Sequence, residues 1–80
     1  MLVRLYSRPG CHLCDVAREV IVAERARAPF RFEDVSVEGD DALELEYGIR
    51  IPVVTIDGEE RFEIQVDPAG FAAAVRSEPS

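Results

Sequence analysis

A chain of 80 residues, 48% of them hydrophobic, has the length for one compact domain around a single modest core and none for a second. Its nine basic residues against 16 acidic ones give a net charge of −7, which repels nucleic-acid phosphates and anionic lipid surfaces and argues against both as partners. No apolar run reaches the ~20 residues of a membrane span, and Met1 to Tyr6 lacks the charged-then-apolar pattern of a secretory leader, so the expected compartment is the reducing cytoplasm.

Leu2-Val3-Arg4-Leu5-Tyr6 is short, apolar and bounded by Ser7, Pro9 and Gly10, which predicts a first strand covered on both faces. From Cys11 onward Leu13, Val16, Ala17, Val20, Ile21 and Ala28 recur at helical spacing, with Asp15, Arg18, Glu19 and Arg25 on other faces. This predicts an amphipathic helix ending near Pro29. Phe30 to Val37 alternates apolar and polar residues as a second strand, and strand, helix and returning strand form a right-handed βαβ unit.

Gly39-Asp40-Asp41 offers a helix start, Leu43 and Tyr47 share one face, and Gly48 is placed to stop that helix in a left-handed conformation. Ile51 to Ile56 predicts a third strand, and Asp57-Gly58 a tight turn returning Glu60 to Val66 antiparallel as a fourth. Asp67 is a helix-capping residue, Pro68 suits the first helical position, and Phe71, Ala74 and Val75 supply the apolar face of a last helix. The domain is expected to occupy residues 1–76, with 77–80 as a flexible tail. The order β-α-β-α-β-β-α is an α/β fold: a four-stranded mixed sheet flanked by three helices.

Two cysteines three residues apart cannot staple distant parts of a secreted fold, and in a cytosolic chain such a pair signals redox or metal chemistry. Pro9-Gly10-Cys11-His12-Leu13-Cys14 falls at the junction of the first strand and the first helix. Backbone N–H groups and the dipole at a helix N-terminus favour a thiolate, which makes Cys11 the nucleophile. Cys14, one turn on and nearer the core, is suited to resolve a mixed disulfide. His12 between them is a candidate for tuning the thiolate. Ile51-Pro52 leads into the third strand, where a cis bond would expose the backbone of Ile51 to an extended substrate.

Tyr6-Ser7-Arg8-Pro9-Gly10-Cys11-His12-Leu13-Cys14, Tyr47-Gly48-Ile49-Arg50-Ile51-Pro52-Val53 and Ile56-Asp57-Gly58 together resemble glutaredoxin-like proteins of the thioredoxin fold, over Leu2 to about Val75. The resemblance implies that Cys11 attacks, Cys14 resolves and Pro52 is the cis proline facing them. It also implies that Arg8 stands where glutaredoxins often carry a lysine for the glycyl carboxylate of glutathione. Ile64-Gln65-Val66-Asp67-Pro68 replaces the Gly-Gly-x-Asp-Asp stretch that meets the γ-glutamyl end. The expectation is a monomeric thiol–disulfide oxidoreductase with no tightly bound cofactor. Its partners would be disulfide-containing proteins or glutathione mixed disulfides, with glutathione or a thioredoxin-type reductase as electron donor. The rival readings are a zinc, copper or iron–sulfur site shared through Cys11 across a dimer, and a non-catalytic module that binds protein segments at Ile51-Pro52.

Overall fold

The computed structural model describes residues 1–77; the remainder of the expected tail, 78–80, lies outside the described residues. Its elements are β1 (Leu2–Ser7), α1 (His12–Arg25), β2 (Arg31–Ser36), α2 (Asp41–Tyr47), β3 (Val53–Ile56), β4 (Glu59–Glu63) and α3 (Pro68–Ser77). The strands form one sheet in the order β2-β1-β3-β4, with β1 parallel to β2 and both other pairs antiparallel. This is the expected mixed sheet and element order.

Strand alternation sorts the core into two layers. Val3, Leu5, Val54 and Ile56 face one side, where they meet Ala17 and Ile21 of α1 and Phe71, Ala74 and Val75 of α3. Phe71 is fully buried, against Phe30 edge-on and Phe62 tilted, and a side chain of this kind contributes about 1.5–3 kcal/mol on burial. Tyr6 and Val53 face the other side with Val37, under Leu43 and Tyr47 of α2. Farther along that second face the seven-residue α2 gives way to a polar surface, where Arg4 pairs with Glu33.

The boundaries depart from the sequence expectation at four places, each with a local cause. Helix α1 ends at Arg25 rather than near Pro29. A residue preceding proline disfavours the helical region, and Arg27 and Ala28 both donate their N–H to Glu24 O in a closing turn. Gly48 caps α2 at φ −52°, in the right-handed region, so the expected left-handed stop is corrected. Glycine is needed there for space, because a Cβ would lie 2.5 Å from the Glu44 carbonyl oxygen. Strand β3 begins at Val53, after Pro52, which has no N–H to give a ladder. Strand β4 runs Glu59–Glu63 and stops because Ile64, at φ 69°, turns the chain away. The hairpin turn is as expected, with Asp57 and Gly58 both at positive φ. Asp67 caps α3 through Oδ2, which accepts the Gly70 N–H at 2.8 Å.

Candidate active site

β1 and β3 are antiparallel neighbours, with Tyr6 paired to Val53 at the end of the ladder. The segment leaving β1 and the segment leading into β3 therefore emerge at the same end of the sheet. The first carries Arg8 to Cys11 and the second carries Arg50 to Pro52. After Ser7 the chain turns, with Cys11 N–H donating to Arg8 O, and Cys11 becomes the N-cap of α1 in an extended conformation. Its Sγ accepts the Cys14 N–H at 3.1 Å, the role a serine or aspartate oxygen plays at other helix starts.

Cys11 and Cys14 are joined in a disulfide, with Cα atoms 5.2 Å apart. Cys11 is partly exposed, whereas Cys14 has no accessible surface. A reagent in solvent therefore meets Cys11. His12 and Leu13, the two residues between them, are exposed on the first turn.

The Ile51–Pro52 peptide bond is cis, as the family resemblance implied and the residues by themselves left open. Pro52 is buried, and its carbonyl accepts the Ile64 N–H at 2.8 Å, tying the segment before β3 to the end of β4. The N–H and C=O of Ile51 find no partner among the described residues, so they are free to pair with an extended strand. Arg8 does not extend an open cation toward solvent: its guanidinium is paired with Glu44 of α2. Arg50 is held by Glu60 and Glu63 at 2.6 and 3.0 Å, which raises its pKa well above the ordinary arginine value.

Several contributors carried no local signal in the sequence. Glu44 is one, since its meeting with Arg8 spans 36 positions. A second is a polar chain behind the first turn of α1. Buried Ser7 donates Oγ–H to Asp34 Oδ1 (2.8 Å), Asp34 Oδ2 accepts from Arg18 Nε (2.5 Å), and Arg18 reaches Asp15 beside Cys14 (2.8 Å). It fixes α1 against β1 and β2, and the hydrogen bond to Asp34 raises the Arg18 pKa. The third is Ile64, which reads in sequence as one more strand residue. Among the described residues no group of three or more His, Cys, Asp or Glu side chains is arranged to hold a metal ion. A metal bound through Cys11 would thus need ligands from another molecule.

The chain matches the family model of the glutaredoxin-like domain (DUF836) over residues 2–76. It is 31% identical to a Mycobacterium tuberculosis protein over 70 residues, spanning 81% of this chain and 72% of the relative. Among solved structures, the X. campestris protein XcR50 superposes with a TM-score of 0.80 at 32% identity, over 96% of this chain and 99% of that one. A mutant thioredoxin from Halobacterium salinarum shares the fold at 21% identity, with a TM-score of 0.68 over 95% of this chain and 72% of that one.

Proposed function

The chain belongs to the glutaredoxin-like domain (DUF836) family, has a thioredoxin-like fold and carries a C-x-x-C disulfide, and from that premise we propose that it is a dithiol oxidoreductase that reduces disulfides. One observation carries this reading: a partly exposed Cys11 caps α1 with its sulfur on a backbone N–H and is linked to a fully buried Cys14. The N–H that meets Sγ in the disulfide would also meet a thiolate in the reduced form, and the helix N-terminus favours that negative charge.

In the reduced enzyme the Cys11 thiolate attacks one sulfur of a substrate disulfide. The substrate S–S bond breaks, a mixed disulfide forms, and the first substrate thiolate departs and takes a proton from water. Cys14 then loses its proton and attacks Cys11 Sγ, which breaks the mixed disulfide, releases the second substrate thiol and leaves the Cys11–Cys14 disulfide. The dithiol supplies two electrons, and two molecules of glutathione or a thioredoxin-type reductase return them. The protein acts as a monomer in the cytoplasm with no tightly bound cofactor. Ile51 contributes its free backbone groups, and Pro52 orients them. Arg8, three residues before Cys11, and His12, next to it, are the binding and tuning side chains of this reading.

The test is exchange with an insulin-type protein disulfide and with glutathione disulfide, followed for wild type, Cys11→Ser and Cys14→Ser. Cys11→Ser drops exchange to the uncatalysed level, and Cys14→Ser accumulates a mixed disulfide visible by mass spectrometry. A wild-type protein with an ordinary Cys11 thiol pKa and no exchange with any disulfide defeats the reading.

A further inference from the structure

A groove of about 470 Å³ runs alongside the C-x-x-C, between the exposed face of α1 and the connection from β4 to α3. Its walls are mainly apolar, with Leu13 and Val16 on one side and Phe62, Ile64 and Val66 on the other, and Gln65 and Asp67 add polar groups. Leu13, Val16 and Ile64 are each 40–47% exposed, so three solvent-facing apolar side chains converge on one cleft that begins inside the redox motif.

Ile64 is the telling member. At φ 69° it occupies the left-handed region, where a β-branched side chain crowds its own backbone and glycine or asparagine would be the easy choice. Its side chain is not buried in either core cluster, so packing does not repay that crowding. What the conformation does achieve is to lock the Ile64 N–H onto Pro52 O while holding the side chain in the groove. A strained residue kept on show beside a reactive pair is a mark of ligand contact.

The charges around the groove decide the kind of ligand. Arg8, before Cys11, is neutralised by Glu44, and Arg50, before Ile51, by Glu60 and Glu63. Asp67 adds a carboxylate to the groove itself, on a chain of net charge −7. An anionic substrate therefore meets no open guanidinium at these positions, whereas a basic one is attracted.

We propose that the groove seats an apolar side chain next to the disulfide cysteine of an extended, neutral-to-basic polypeptide, with Ile64 as its specificity-determining residue and glutathione disulfide as the poorer substrate. This rests on the oxidoreductase reading above. The substrate's backbone pairs with Ile51, its neighbouring apolar residue enters between Leu13 and Ile64, and its basic residues lie toward Asp67.

The experiment compares kcat/KM of the full chain for four disulfides. The first is a peptide with leucine beside the cysteine and flanking arginines. The others are the same peptide with serine for leucine, the leucine peptide with glutamates for arginines, and glutathione disulfide. The leucine–arginine peptide is expected to lead each of the others by about tenfold, and its rate to fall with added salt while that of the glutamate peptide rises. Ile64→Gly relieves the backbone, so Tm rises by about 4 °C, while the leucine-over-serine preference shrinks severalfold. Ile64→Asn, which also tolerates the left-handed region, is expected to lose the same preference. Equal rates on all four substrates, a preference for glutathione disulfide, or undiminished leucine preference in both variants overturns the inference. A fall in Tm for Ile64→Gly assigns Ile64 to packing and overturns its role as well. Failure of wild type to reduce any of the four defeats the oxidoreductase reading instead.

Discussion

Tyr6 and Tyr47 stack with ring centroids 4.1 Å apart and planes 19° from parallel, joining β1 to α2 just behind the redox loop. Burial, and then the neighbouring Tyr6, raise the Tyr47 phenol above its ordinary pKa of 10.0. A group raised in the folded state contributes stability that is fully present below its unfolded pKa and is lost as pH rises through the folded one. That contribution therefore holds across neutral pH and disappears only on the alkaline side of about pH 10. Ultraviolet titration of tyrosinate should show a component that ionises late, and Tyr47→Phe should remove it. The adjacent Gly48 makes a different demand. A methyl group there would press on the Glu44 carbonyl, so Gly48→Ala is expected to destabilise by about 1–2 kcal/mol despite alanine's better helix propensity, measured by urea unfolding. The sequence marks Gly48 as the end of a helix but conceals why glycine is there, because a close approach and a left-handed turn leave the same letter.

Elements, too, were legible in proportion to how local their causes are. The alternation that sends Val3 and Leu5 to one face and Tyr6 to the other, the Asp57-Gly58 turn and the Asp67-Pro68 helix start are all written in adjacent letters, and all form as read. The end of β4 was not legible, because Ile64 turns away to satisfy a carbonyl at Pro52 that only the folded sheet brings near. The same holds for the bridge between α1 and α3. Glu24, 7% exposed, accepts from Arg76 at 2.7 and 2.8 Å across 52 positions, and nothing near either residue announces it. Removing the cation strands a nearly buried carboxylate, so Arg76→Ala should cost about 1–3 kcal/mol. The double change Glu24→Met with Arg76→Met should recover most of that loss, because an apolar pair of similar reach leaves no uncompensated charge. Denaturant midpoints of the two variants against wild type measure both effects.

At the scale of the whole molecule the redox pair sits at the edge of the packed clusters, with only Cys14 buried. Cys11 is partly exposed, Cys14 is buried without joining either of the two packed clusters, and the disulfide closes a loop of only three residues' separation. This is why the motif and the fold could be read separately, while the surroundings of the motif, Glu44 on Arg8 and Ile64 beside Leu13, waited on tertiary structure. This placement has a thermodynamic consequence. Closing so short a loop restricts the unfolded chain by about 2 kcal/mol in favour of the oxidised form. A Cys11 thiolate at the N-terminus of α1 returns about 0.3–2 kcal/mol to the reduced form. The two forms should therefore differ in stability by less than about 2 kcal/mol, with one cooperative transition each. By linkage that difference equals the gap between the potentials of the folded and unfolded dithiol, and since 1.4 kcal/mol corresponds to about 30 mV, the folded pair should lie within about 40 mV of the unfolded one. Urea unfolding of the oxidised and reduced proteins gives the first quantity, and equilibration with glutathione buffers before and after unfolding gives the second. A difference below about 2 kcal/mol, equivalently about 40 mV, is what coupling confined to the first turn of α1 predicts. Loss of the cooperative transition on reduction would mean that the disulfide holds the core, contrary to its place outside both clusters.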